Sequence, residues 1–322
     1  MSANELMETE VPTPLTLDDV HEDLRPMYAR PVALPASVLG TAAGRWLINA
    51  AMKFTLRADT TGVSITTRPT GSTMSRVYLP TEGVRGTGAL LFIHGGGFVI
   101  GRAAMNDALC CEIVRRLGIA VVSPDYRLAP KHPFPTPVDD CHEAWEWLVA
   151  HAAELGVDPE RIAVGGQSAG GGLAAMLALR LRTAARVRPS AQWLLCPMLD
   201  DRTAANRELD AQGHFGWTNQ SNRIGWRSFL ATPAGGPAVP LGAVPSRETE
   251  LEGLPPTWIG VGSIDLFHDE DVAYAEALRA AGVPATVVVV PGAPHGFELA
   301  GAEAAVVRNY IDTAVGWLGS SV

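Results

Sequence analysis

Apolar residues along the 322-residue chain come in two rhythms. Short apolar blocks of strand length stand at 89–93, 119–123, 161–165, 192–195, 257–261 and 285–290. Between them lie longer stretches with helical spacing, near 104–117, 137–154, from about 168, 269–281 and 302–318. Blocks that are apolar throughout, rather than alternating, suit strands buried on both faces. Repeated strand–helix alternation predicts an α/β fold, a mostly parallel sheet with helices on both sides. In such sheets functional groups gather at the carboxyl ends of the strands.

The first part of the chain reads differently. A helix is expected over 17–28, capped at Thr16 and with an acidic first turn. A second is expected over 37–53, with Pro31 and Pro35 between them. Residues 63–67 and 76–79 alternate apolar and polar, as two antiparallel strands would. That brings the expected strands to eight. A plain crossover does not need the residues between Leu195 and Thr257. This stretch is rich in Gly, Pro and polar residues, with Phe215, Trp217, Trp226 and Phe229 spread through it. It is expected to be an insertion at the strand-end face, roofing the site as a cap with the N-terminal helices. The expected division is 1–50 cap helices, 51–199 first part of the core, 200–250 cap insertion and 251–322 second part of the core.

Composition agrees with a well-packed chain, since 47% hydrophobic and 18% charged residues permit a sizeable core. A net charge of −9 without a basic cluster argues against nucleic-acid binding. The acidic stretch Met1 to Glu10 has neither the basic nor the apolar region of a signal peptide. No apolar run approaches the ~20 residues of a membrane span. A cytoplasmic protein with no membrane partner is expected. Cys110, Cys111, Cys141 and Cys196 form no C-x-x-C pair, so neither a zinc site nor a disulfide framework is expected. Cys111 and Cys141 read as core residues. Gly260-Val261-Gly262 lacks the third glycine of a dinucleotide fingerprint, and there is no P-loop. No cofactor and no metal are expected.

The chemistry concentrates in Gly166-Gln167-Ser168-Ala169-Gly170, a G-x-S-x-G motif between the strand at 161–165 and a helix. That context suits a nucleophile elbow, a sharp turn that lifts a serine Oγ above the sheet. A serine of this kind needs a base, an orienting acid and oxyanion donors. His295 is the candidate base, since Pro291-Gly292-Ala293-Pro294 ends the preceding strand and presents it. His268 is the main competitor, whereas His21, His142 and His151 fall in helical stretches. Asp265 is the candidate acid, with Asp269, Glu270 and Asp271 as rivals that could equally serve the dipole of a helix N-terminus. His94-Gly95-Gly96-Gly97 follows the strand at 89–93. There the N–H groups of Gly95 and Gly96, with that of Ala169, are the candidate oxyanion hole.

These segments together resemble the hormone-sensitive-lipase group of α/β-hydrolases, which includes many bacterial carboxylesterases. The resemblance covers roughly 75–320. It rests on His94-Gly95-Gly96-Gly97-Phe98 with Gly101, Asp125-Tyr126-Arg127-Leu128-Ala129-Pro130, and His132-Pro133-Phe134-Pro135. It continues through Ser168-Ala169-Gly170-Gly171, Asp265-Leu266 with Asp269-Glu270, and His295-Gly296-Phe297. It implies hydrolysis of short- to medium-chain acyl esters through a serine acyl-enzyme, with no cofactor and with a helical cap. One departure stands out. The group usually carries Asp before the nucleophile, where this chain has Gln167. Activity is expected to persist, with altered pH dependence or loop stability.

Phe98, Tyr126, Phe215 and Trp217 are the candidate pocket residues. An amidase or formamidase on the same machinery is the alternative enzyme. A non-catalytic small-molecule receptor of the same fold is another, and the presence of His295 argues against it. A pure interaction domain fits poorly with a complete set of catalytic candidates. The resemblance also implies a homodimer, paired through the apolar strand at 285–290.

Overall fold

The computed structural model describes residues 13–29, 35–55, 58–85, 87–184, 186–301 and 303–322. The acidic stretch Met1 to Glu10 and Pro31 lie outside the described residues. Before the sheet come α1 (Arg25–Tyr28), α2 (Ala36–Leu39) and α3 (Ala42–Thr55). The helix expected over 17–28 is not continuous. A turn and the 3₁₀ segment Glu22–Leu24 precede α1. Pro26 is the reason, because it has no N–H to donate and its ring collides with the carbonyl four residues back. It sits in the first turn of α1, where a missing N–H costs little. The helix expected over 37–53 is split at Gly40-Thr41. There the Thr41 hydroxyl accepts the Gly44 N–H at 3.0 Å and starts a new helix. That helix, α3, runs past residue 50.

Eight strands follow as expected: β1 (Val63–Pro69), β2 (Met74–Pro80), β3 (Ala89–Ile93), β4 (Ala120–Pro124), β5 (Ile162–Gln167), β6 (Gln192–Leu195), β7 (Thr257–Gly262) and β8 (Ala285–Val290). They form one sheet in the order β1-β2-β4-β3-β5-β6-β7-β8. The pairings β1–β2 and β2–β4 are antiparallel, and the rest are parallel. All residues of β3 to β7 are buried. A buried apolar side chain contributes ~1.5–3 kcal/mol. Strand propensities span only ~1 kcal/mol. Burial on both faces therefore explains why these segments are uniformly apolar.

The remaining helices are α4 (Asp107–Leu117), α5 (Thr136–Ala150), α6 (Ala152–Leu155), α7 (Ala169–Ala184), α8 (Asp201–Ala205), α9 (Asn219–Leu230), α10 (His268–Ala280) and α11 (Ala305–Ser321). Leu91, Ile93, Val164, Leu194 and Ile259 point to a core shared with α5, α7 and α10. Leu90, Phe92, Trp193 and Trp258 point the other way, to α4 and α11. The two-residue period of a strand divides one apolar run between two cores. All four cysteines are buried and free. Between β6 and β7 the chain forms α8 and α9, and α2 packs on α9. No described helix is long and apolar enough to cross a membrane.

Candidate active site

β5 occupies the middle of the sheet and delivers Ser168 at its carboxyl end. The backbone of Ser168 is left-handed, with φ of 54°. A non-glycine residue is strained there, by ~1–3 kcal/mol where such geometry is enforced. The enforcing contacts are visible. Ser168 N–H donates to the Leu195 carbonyl at 2.8 Å, and its own carbonyl accepts from Gly172 and Met198 at 3.0 Å each. The tight return of the chain also requires bare backbone on either side. A Cβ on Gly166 would stand 2.4 Å from Gly170, and one on Gly170 would stand 2.1 Å from the Ile93 carbonyl oxygen.

Two later strand ends bring the other groups. Asp265 follows β7 and His295 follows β8. His295 Nε2 lies 3.0 Å from Ser168 Oγ. Its Nδ1 lies 2.9 and 3.1 Å from the two Asp265 carboxylate oxygens. A carboxylate only accepts, so Nδ1 carries the proton and Nε2 presents its lone pair to the serine. Burial alone would depress the imidazole. The charge and hydrogen bond of Asp265, helped by Glu298, outweigh it and hold His295 above the ordinary histidine value. The rivals lie elsewhere. His268 pairs with exposed Asp269 at 2.7 Å. Glu270 accepts the N–H groups of Leu199 and Asp200. Asp271 is wholly buried, and burial pushes its carboxyl well above the usual range.

Two residues far from His295 in sequence hold it by its backbone. Tyr28 on α1 donates its hydroxyl to the His295 carbonyl at 3.1 Å. Gly216 packs so closely on that carbonyl that a Cβ would come within 2.3 Å. His214 lies nearby, buried, and burial lowers its pKa.

The glycine loop after β3 backs onto the nucleophile. Gly95 abuts the Gln167 carbonyl and Ser168 Cβ. Gly96 has φ of 114°, a region closed to other residues. Outside helices and strands, no described carbonyl accepts from the N–H of Gly95 or Gly96. Ala169 is the first residue of α7, so no carbonyl within its helix can take its N–H. Gly95 and Gly96 line the cavity above Ser168, whereas Ala169 is fully buried behind it. His94 donates Nδ1–H to the Gly95 carbonyl at 2.8 Å and so fixes that peptide. Burial keeps this imidazole below the ordinary value and hence neutral.

The cavity over Ser168 encloses about 190 Å³. Its apolar wall comes from Met27, Met52 and Met105 with Tyr28, Ile100 and Trp217, and among the described residues no carboxylate, lysine or arginine lines it. Of the four expected pocket residues, Trp217 alone is there. Phe98 is buried against Phe229 at 4.2 Å and Trp226 at 5.3 Å, joining core to α9. Tyr126 stacks on His94 at 4.2 Å and donates to its carbonyl at 3.1 Å, so it braces the glycine loop. Phe215 packs edge-on against Tyr28 at 5.9 Å. These aromatics were drawn inward by their bulk. The thioethers of residues 27 and 52 carry no sequence signal of a pocket, since Met at helical spacing is ordinary core material.

The chain is similar in sequence and fold to several known proteins. A family model described as alpha/beta hydrolase fold matches residues 90–299. The carboxylic ester hydrolase LipN of Mycobacterium tuberculosis is 39% identical over 267 residues, 80% of this chain and 70% of that one. An ethyl acetate hydrolase of Pseudomonas putida is 34% identical over 73% of this chain and 74% of its own. Among solved structures, a bacterial heroin esterase superposes with a TM-score of 0.85 at 36% identity, covering 95% of this chain and 99% of that one. The esterase LipW from Mycobacterium marinum gives 0.84 at 31% identity, covering 97% and 98%.

Proposed function

The chain belongs to the alpha/beta hydrolase fold family, in its hormone-sensitive-lipase-like branch, and is a carboxylic-ester hydrolase; from that premise we propose that Ser168 is its nucleophile, His295 its base and Asp265 its orienting acid. The observation that carries this assignment is the continuous relay from Ser168 Oγ through both imidazole nitrogens to Asp265. His295 Nε2 takes the serine proton as Oγ bonds to the ester carbonyl carbon. The N–H groups of Gly95, Gly96 and Ala169 receive the charge that develops on the carbonyl oxygen, each such donor being worth ~10²–10³ in turnover. The imidazolium, stabilised by Asp265, returns the proton to the departing alcohol. Water, deprotonated by His295, then cleaves the acyl-enzyme and frees the acid. No metal or cofactor enters these steps.

The cavity supports short to medium acyl chains, because about 190 Å³ bounded by methionines and one indole leaves space for a compact, uncharged group. We read 200–250, with the helices before the sheet, as a cap over that space. Its contacts are Tyr28 and Gly216 on the His295 carbonyl and Trp217 over Gly97. We further infer a homodimer through β8, an edge strand whose Val289 is exposed.

The test is a p-nitrophenyl ester series of increasing acyl length, with matching anilides. Ser168→Ala is expected to lose at least ~10³-fold in kcat while keeping the fold. The wild type is expected to prefer esters over anilides. A Ser168→Ala variant retaining most ester turnover would refute the assignment, and faster anilide cleavage would favour an amidase.

A further inference from the structure

Glu298 has no part in the relay just described, yet its carboxyl lies among the residues of that relay. It belongs to the 3₁₀ turn Phe297–Ala300, directly after His295-Gly296. The residue as a whole is partly exposed, but its carboxyl is not. Oε2 is buried and has no partner among the described residues. Oε1 accepts the Nε2–H of Gln167, the residue preceding the nucleophile, and faces Cys196 Sγ at 3.7 Å. The other end of the Gln167 amide accepts from Asn106 Nδ2 at 3.0 Å. The two neighbours together settle which way the amide points, since only its NH₂ can face a carboxylate. A line of contacts, Asn106–Gln167–Glu298, thus runs behind Ser168 and ends three residues past the base.

The groups facing this carboxyl come from several elements. They are Tyr28 of α1, Cys196 after β6, Asp265 after β7, His295 itself and Tyr310 of α11. Asp271 of α10 lies beyond Cys196 and Tyr310, and His214 lies beside Asp265 and His295. Burial pushes the Glu298 carboxyl above the ordinary carboxylate range, and its own backbone N–H, the His295 charge and the Gln167 amide offset that only in part. Among the described groups acting directly on Glu298, His295 is the one that can carry positive charge, and a carboxylate at Glu298 favours that charge in return.

Gln167 gains a reason from this. Where the resembling group carries a carboxylate beside the nucleophile, this chain carries an amide that donates to a carboxylate from the other side. We propose, resting on the triad assigned above, that Glu298 is a positioning residue of the hydrolase: its carboxylate anchors Gln167 behind the nucleophile and supports the imidazolium of His295. An aspartate at 167 would set a second carboxylate beside Glu298 and add negative charge behind the nucleophile.

The experiment is the pH profile of kcat/KM with p-nitrophenyl butyrate for wild type, Glu298→Gln, Gln167→Asp and the double variant. Glu298→Gln is expected to move the acid limb down by ~0.5 pH unit or more, as removal of a nearby negative charge does to a histidine. Gln167→Asp is expected to move it up, with kcat down by ~10-fold. The double variant, which relocates the charge rather than adding one, is expected to return towards wild type. A purely structural role would lower kcat at every pH and leave the limb in place, and that result overturns the proposal. Should Glu298→Gln fail to fold, Gln167→Asp decides alone, an upward limb supporting the proposal and an unmoved one overturning it. A wild-type profile with no acid limb overturns the triad and this proposal together. A normal wild-type limb that neither single variant moves overturns this proposal alone.

Discussion

At the residue scale the account turns on one imidazole. His295 must be neutral at Nε2 to accept the serine proton, and its surroundings hold its pKa above the ordinary histidine value. The sign follows directly. As pH falls through that raised pKa the base is protonated and kcat/KM drops, so the acid limb is expected above about 6.5. A pH–rate profile checks this, and a limb clearly below that value would mean that Asp265 and Glu298 do not act on the base. The triad candidates were legible because each follows a strand in the order that the chemistry needs. The pocket was not. Phe98, Tyr126 and Phe215 look like pocket residues by type, but large aromatic side chains are also what cores consume. Each found a packing partner in Phe229, His94 or Tyr28. Glu298 was equally silent, because an acid three residues after a histidine has no signature until folding brings Gln167 against it.

At the element scale, apolar blocks gave strands whose limits the structure nearly repeats, as at β3, β6 and β8. Burial on both faces leaves little freedom about where such a strand starts and stops. Helices before the sheet were less legible. Amphipathic spacing ran through Pro26 and through Gly40-Thr41, and local backbone chemistry ended the helices there regardless. The edge strand β8 carries the expectation about assembly. Thr286 and Val289 are exposed on it, and an unpaired edge offers backbone groups to a second copy. Sedimentation is expected to give twice the mass of one chain, and Val289→Lys to shift the equilibrium towards one. A wild-type protein that sediments as a single chain at ~100 µM, well above a micromolar Kd, would exclude pairing through β8.

At the scale of the whole molecule, the sheet order does the assembling. β5 stands between β3 and β6, so the nucleophile lies beside the glycine loop that follows β3. β7 and β8 lie adjacent in the same direction, so Asp265 and His295 leave neighbouring strand ends and meet. Residues lining the cavity come from both sides of the core in sequence, with Tyr28 from the first helices and Gly216 and Trp217 from the long excursion between β6 and β7. Sequence spacing led to the expectation that this excursion lies at the strand-end face. Which of its side chains reach the cavity depends on packing that no spacing encodes. Everything in this arrangement serves Ser168 as the residue that forms the covalent acyl intermediate proposed above. A dialkyl p-nitrophenyl phosphate, which phosphorylates an activated serine and stops there, tests it by intact mass and peptide mapping. One dialkylphosphoryl adduct per chain is expected, on the peptide containing Ser168 and absent from Ser168→Ala; an adduct on another residue, or none in an active preparation, would rule out Ser168 as the nucleophile.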